Sequence, residues 1–502
     1  MDIRIVKFCF YSKEVATVDT RENMVNSRAV GYWHSIKASI ASLLPAEKDE
    51  FLKLIYTSFC FFLIIGSYTL SKELKDIVFT EVVGKEYIWQ AKMITILMLI
   101  PLVMIYSKFV DALRRYQLLA VYSFAYGAIG LLFAYLIGHQ VVGLPNPVTS
   151  PYRLFGWLFY FFSESFSPFV VSVFWSFVNS INTPASAKKN YAPMVTWSKV
   201  GGMLTSGFAW ALLSVTDVTS FWMVSHVGRL QILLALASLL LIVVPLVVYM
   251  LVRSVSKQHL HGYEAAYRVE TQRGKKGKSH TGIISGLRLI LRYPYVFGIF
   301  CVVLFFEVIQ TVLAYQKICI AKEGAKNLSE SSGFFFKIIF IMHFIGFFIS
   351  LFGTRKLLER LGEKVCLLLV PISTALLFVY FKVSGTQFAF LAFFVILRSI
   401  HYAFSYPVRE SLYVLTVKDV QFKSKSWIDA FGSKIAKSIG SAFNGVTASL
   451  SIAAFGAVQS VFFTMIIGLW VMVAYLLGKR FEKAVAHNEV IGVDESDGKI
   501  VN

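Results

Sequence analysis

The chain has 502 residues, 56% of them hydrophobic and only 16% charged, with mean hydropathy +0.64 and a formal net charge of +20. Ordinary soluble domains carry about a quarter charged residues, and so much apolar surface cannot be hidden in a soluble core of this size. The cations are spread between apolar runs and not gathered in one patch, which argues against nucleic acid as a partner.

Residues 1–50 mix acids and bases too closely to leave a long apolar run, so no cleaved signal peptide is expected and this segment reads as a cytoplasmic tail. A helix crossing a bilayer needs about 20 mostly apolar residues. Twelve such stretches follow, the first six near 52–72, 88–107, 116–138, 154–181, 190–214 and 229–252. The second six lie near 293–318, 333–353, 364–383, 387–416, 427–454 and 457–478. Spans four, ten and eleven are interrupted by charges.

Alternate loops concentrate lysine and arginine: Lys108, Arg114 and Arg115 after span two, Lys188 and Lys189 after span four, Arg355, Lys356, Arg360 and Lys364 after span eight. The opposite loops are shorter or more acidic, so both termini are expected in the cytoplasm. A basic linker over 254–290 divides a six-helix bundle at 51–253 from another at 291–480, and 481–502 forms a second cytoplasmic tail. The halves echo one another: SKFVDALRRYQ after span two matches GTRKLLERLGEK after span eight, and TWSKVGG in span five matches FGSKIAKSIG in span eleven. The expected fold is an all-α membrane protein of about 12 transmembrane helices, with a major-facilitator-like six-plus-six pseudo-repeat surrounded by lipid. It is expected to be a monomer.

No cofactor or metal is called for. The cysteines Cys9, Cys60, Cys301, Cys319 and Cys366 lack metal spacing, and those inside apolar runs read as small core hydrophobes. GKKGKSH at 274–280 is not a phosphate loop, because it lacks the G-x-x-x-x-G-K-[ST] spacing. No nucleophile–base constellation is evident, so the chain is not expected to be an enzyme.

Charged groups inside spans cost a few kcal/mol each and need a partner, a water-filled cavity or a task. Here they include Lys72, Glu73, Lys75 and Asp76 at the end of span one, Glu164 in span four, Lys199 in span five and Glu307 in span seven. Span ten adds Arg398, His401, Arg409 and Glu410, and span eleven adds Asp429, Lys434 and Lys437. Lys434 and Lys437 are three apart and share a helix face, where two ammonium groups repel unless an anion or acids lie nearby. A polyphosphate would satisfy them, since lysine and arginine are its usual partners. The candidate binding residues are Lys75, Glu164, Lys199, Arg409, Glu410, Lys434 and Lys437. Structural roles stay open beside that one: Lys75 at the membrane edge, Glu164 as an interhelical hydrogen bonder, and Lys434 and Lys437 paired with Glu410 or Asp429.

Several segments, in order along the chain, resemble motifs of the ATP:ADP antiporter family, the nucleotide transporters of plastids and obligate intracellular bacteria. SYTLSKELKDIVF at 67–79 resembles NYxxLRxxKDxLVV, and ESFSPFVVSVFWSFVNSIN at 164–182 resembles ELWGxxxxSLLFWQFANQI. AKKNY at 187–191, RYPY at 292–295, PVRESLYV at 407–414 and KSKSWIDAFGSKIAKSIGS at 423–441 are similar to EAKRFY, a SPYI-like start of the seventh span, PTKEMAYI and KxKGKAAIDVxGxxLGKSGG. The resemblance implies ATP/ADP exchange, with Lys75, Glu164, Arg409 and Lys437 carrying the family's important charges. It also implies the inner membrane of an intracellular bacterium. TVLAYQK at 311–317 lacks the glutamate of the family's LVEVTWK, and arginine stands at 409 where the family has lysine. Proton-coupled uptake of another nucleotide, or of a different organic anion, remains the alternative.

Overall fold

The computed structural model describes residues 47–182, 184–214, 225–256, 283–324, 328–413, 416, 424–487, 489 and 491. The linker core at 257–282 and most of both tails lie outside the described residues. Within lipid every backbone polar group must be satisfied internally, and helices do this within a single segment. Accordingly, the one β-type pairing among the described residues is an isolated bridge between Thr416 and Ile491.

The first group comprises α1 (Lys48–Val82), α2 (Ile88–Ala112) and α3 (Arg115–Ile137). Next come α4 (Leu154–Phe166), a π-turn at Ser167–Val171 and α5 (Ser172–Ile181), which together make the fourth span. Helices α6 (Pro184–Ser214) and α7 (His226–Ser254) complete the group. A short amphipathic helix, α8 (Ile283–Arg292), leads into α9 (Pro294–Gly324) and α10 (Leu328–Phe348), with a π-turn at Ile349–Gly353. In α11 (Thr354–Ser384), Gly362 adopts φ 72° and ψ 170°, which breaks the connector from the span proper. The tenth span is α12 (Gln387–Ile400), a π-turn at His401–Ser405 and α13 (Tyr406–Leu412). The eleventh is α14 (Lys425–Trp427), a π-turn at Ile428–Gly432 and α15 (Ser433–Thr447), and α16 (Ile452–Ala486) closes the bundle.

Among the described residues, 9 helices are long and apolar enough to cross a membrane, which makes this a multi-pass membrane protein. Helices also cover the three other expected stretches, as α2, α6 and α14–α15. These three lie where the halves meet: α2 packs on α15, and α6 packs on α10. Small residues permit this approach, since packing between membrane helices rests on close van der Waals contact. A Cβ added at Gly202 of α6 would fall 2.4 Å from the His343 ring of α10.

One buried apolar cluster belongs to the second six spans and another to the first. A third joins them, and in it Leu70, Leu74, Ile77 and Phe79 of α1 share a core with Ile318 and Ala321 of α9 and Phe335 and Phe336 of α10. The halves are therefore drawn together at the end of the bundle where α1 finishes. Cys60, Cys301 and Cys366 are buried, as expected of small core hydrophobes.

Candidate functional site

The stretch Lys72–Asp76 turns with the helix, so Lys72, Lys75 and Asp76 share one face of α1 and Glu73 points about 100° away from Lys72. Glu164 lies near the end of α4, just before its π-turn, and Lys434 lies just after the π-turn that opens α15. π-turns widen a helix locally and recur at functional sites.

These positions converge. Lys75 Nζ lies 2.7 Å from Glu164 Oε2 and 3.3 Å from Asp76 Oδ1. On its other oxygen, Glu164 accepts from Lys434 Nζ at 2.7 Å, with Lys437 Nζ at 3.9 Å. The Lys434 ammonium also reaches the Glu164 backbone carbonyl at 3.4 Å. The Lys75 ammonium sits 4.4 Å over the Tyr160 ring. The Lys75 and Glu164 side chains are 5% and 15% exposed. One carboxylate thus holds three lysines, and it ties the first six spans to the eleventh.

A second set of charges lies towards α9. Lys317 Nζ bonds Glu73 Oε2 at 2.7 Å, again from one half to the other, and stands 4.4 Å over the Phe335 ring. Further along, Lys322 Nζ pairs with Glu81 at 3.1 Å and donates to the Thr80 carbonyl at 2.9 Å.

A third group is cationic without carboxylate partners of its own. Lys199 of α6 lies 5.3 Å from the Tyr402 ring centroid, and the Arg398 guanidinium lies 5.7 Å from it. Lys72 stands 5.3 Å over Tyr68. None of Lys72, Lys199 and Arg398 forms an ion pair among the described residues. Tyr402 is 37% exposed, yet the groups over its ring are cations, so the space it faces is a charged interior and not lipid. His343 shares a hydrogen bond with Thr69 Oγ1 at 3.2 Å, joining α10 to α1 beside this group.

The expected site residues divide accordingly. Lys75, Glu164, Lys434 and Lys437 come together. Lys199 belongs to the group around Tyr402. Arg409 pairs with Asp429 of the eleventh span at 3.2 Å. The Glu410 side chain lies outside the described residues. Glu307 accepts from Ser433 Oγ at 3.1 Å, bringing α9 against the start of α15. Lys317, Tyr160 and Tyr402 escape a reading by hydropathy. Lys317 stands at the edge of a long apolar run, where a lone lysine reads as a membrane-edge anchor.

Comparison with known proteins follows the same lines. Residues 152–481 match the family model described as TLC ATP/ADP transporter. The ADP,ATP carrier protein 4 of Rickettsia felis is 24% identical over 451 residues, covering 80% of this chain and 85% of its own. The protein of the same name from Rickettsia bellii is 23% identical over 503 residues, covering 89% and 93%. Among solved structures, a D-xylose–proton symporter aligns with TM-score 0.58 and 10% identity over 86% of this chain and 97% of that one. The E. coli fucose:proton symporter aligns with TM-score 0.51 and 12% identity over 86% and 99%. At such identities the likeness is one of fold: a major-facilitator-like helical bundle.

Proposed function

Because the chain belongs to the TLC ATP/ADP transporter family, we propose that it exchanges ATP for ADP across its membrane by alternating access. The observation that carries the reading is Glu164, whose carboxylate gathers Lys75, Lys434 and Lys437 from both halves. Those lysines are the partners a polyphosphate needs. A substrate phosphate competes with Glu164 for them, and losing the shared carboxylate frees one half to rock against the other. By the loop charges, the end carrying Glu81 and Lys322 faces away from the cytoplasm. The pairs Lys317–Glu73 and Lys322–Glu81, with the shared apolar core, support a state closed on that side.

Exchange of ATP⁴⁻ for ADP³⁻ requires no hydrolysis. It moves one net charge, on which a membrane potential acts with about 2.3 kcal/mol per 100 mV. The Rickettsia relatives support the cytoplasmic membrane of a bacterium that lives inside host cells.

Glu307 favours a second reading, proton-coupled uptake of another nucleotide or organic anion, because a carboxylate stands against α15 while Thr311–Lys317 holds none. The test is uptake into proteoliposomes with a panel of labelled nucleotides, run with internal ADP and separately with an imposed proton gradient. Saturable ATP entry that requires internal ADP supports exchange. Entry driven by the proton gradient alone supports the second reading.

A further inference from the structure

Resting on the nucleotide-exchange reading, we infer that Lys72, Lys199 and Arg398 form an oligophosphate subsite, separate from the Glu164 cluster, in which the substrate's phosphates land while the Glu164 lysines are still neutralised.

Charge is unevenly satisfied inside the bundle. Lys75 and Lys434 each hold Glu164 at 2.7 Å. An arriving anion gains little from a cation that already has a carboxylate, because it must first displace one. The group around Tyr402 is different. Arg398 is 6% exposed, with the rings of Phe394 and Tyr402 at 5.6 and 5.7 Å from its guanidinium. Its Nε is buried with no hydrogen-bond acceptor. The carboxylate that acts on it through space, Glu73, is already bonded to Lys317 at 2.7 Å. Apart from that shared carboxylate, the Tyr402 side chain is its hydrogen-bonding neighbour, so the buried guanidinium stays short of a full anionic partner.

Lys199 from α6 and Lys72 from α1 bring the same want to the same place. All three cations lie within electrostatic range of the His343 ring, which is wedged between Thr69 of α1 and Gly202 of α6. Two helices of each half meet here only if these charges are accommodated, and the rings of Tyr68 and Tyr402 do so weakly. A cation over an aromatic face gains less than it would from a charge-assisted hydrogen bond to phosphate. Arginine beside two lysines suits an oligophosphate: the planar fork takes two oxygens of one phosphate, and the ammonium groups take the others as point charges. Lys437 borders both groups. It stands 3.9 Å from Glu164 Oε1 and within electrostatic range of Tyr402 and Glu307. It is the natural step from the landing subsite to the Glu164 cluster.

The lack of ion pairs at these cations also supplies a discriminating readout. Removing a cation from a buried ion pair strands its carboxylate and destabilises the protein. Removing Lys72 or Lys199 strands no carboxylate, so the unloaded protein should keep or gain thermal stability while ligand binding weakens.

The experiment uses the full chain in lipid nanodiscs, with calorimetric titration of ATP, inorganic tripolyphosphate and adenosine as separate probes. Lys72→Gln, Lys199→Gln and Arg398→Gln are each expected to weaken ATP and tripolyphosphate roughly tenfold or more. Adenosine should be unaffected, and so should all three probes in Lys337→Gln, which removes an exposed lysine over Trp210. The thermal midpoints of unloaded Lys72→Gln and Lys199→Gln should equal or exceed that of the parent. Should Arg398→Gln not yield monodisperse protein, the two lysine variants decide the matter. Parental ATP and tripolyphosphate affinities in those variants would overturn the subsite while leaving nucleotide exchange standing. A parent protein that binds neither probe would overturn the exchange reading itself.

Discussion

Lys317 Nζ stands 2.7 Å from Glu73 Oε2, with side chains 2% and 3% exposed, so this ion pair fastens α9 to α1 in an interior that water scarcely reaches. A buried pair of this kind contributes little net stability against an apolar replacement, yet breaking it by removing one partner costs about 3–5 kcal/mol. Its value here is as a two-state fastening between halves. Closed, both charges are satisfied. Apart, each must find water or substrate.

Glu73→Gln and Lys317→Met are therefore each expected to lower the thermal midpoint of the purified protein strongly, and the double variant to recover most of the loss. A double-mutant cycle on unfolding midpoints in detergent measures this. Additive losses would show that the two side chains act independently.

Glu164→Gln separates binding from movement. Without its carboxylate, Lys75, Lys434 and Lys437 lose the anion they share. ATP binding should then tighten or stay level, because the internal competitor is gone. Exchange should slow about 100-fold or more, because no carboxylate is left to displace the bound phosphate from the three lysines and release it. Titration of ATP beside exchange rates reads both quantities. Weakened binding at an unchanged maximal rate would contradict the role given to Glu164.

Lys322 and Glu81 form a more exposed fastening, at 25% and 37% side-chain exposure. Such pairs contribute about 0–1 kcal/mol. Lys322→Gln should leave the thermal midpoint nearly unchanged while biasing the protein towards opening at that end. In a background without native cysteines, Thr80→Cys should react faster with a membrane-impermeant thiol reagent once Lys322 is replaced. Equal labelling rates would remove Lys322 from the closure.

At Gly202 the limiting contact is steric. With the His343 ring 2.4 Å from a new Cβ, and His343 held by Thr69, Gly202→Ala must shift α6 away from α10. A destabilisation of about 1–3 kcal/mol is expected, as for overpacking elsewhere. Denaturation of the purified protein measures it, and an unchanged midpoint would mean that the two helices are not locked at this point.

Much of this architecture is legible in the order of the amino acids. Charges inside apolar runs stand out because lipid makes them expensive, which is why Lys75, Glu164, Lys434 and Lys437 can be singled out, and the three-residue spacing of the last two puts them on one face. Hydropathy misplaces span ends where charge enters. It stops span one near residue 72, whereas α1 runs on to Val82, because Glu73 and Lys75 are paired with carboxylate or ammonium groups of neighbouring helices and need no water. Partner choice is the least legible part. Nothing local in Lys317 points to Glu73, 244 positions away. Likewise Arg409 meets Asp429 through the packing of spans ten and eleven. Tyr402 looks like any aromatic in a membrane helix until folding sets Lys199 and Arg398 over its ring.

Obligatory exchange of adenine nucleotides through the charges that Glu164 gathers is tested most directly by trans-stimulation. The quantity is the initial rate of labelled ATP entry into proteoliposomes loaded with ADP, against empty ones, at zero membrane potential and with a potential imposed. Rapid entry is predicted only where ADP is inside, altered by the potential in the sense of one net negative charge moving with ATP, and lost in Glu164→Gln. Equal ATP entry into loaded and empty vesicles would contradict it.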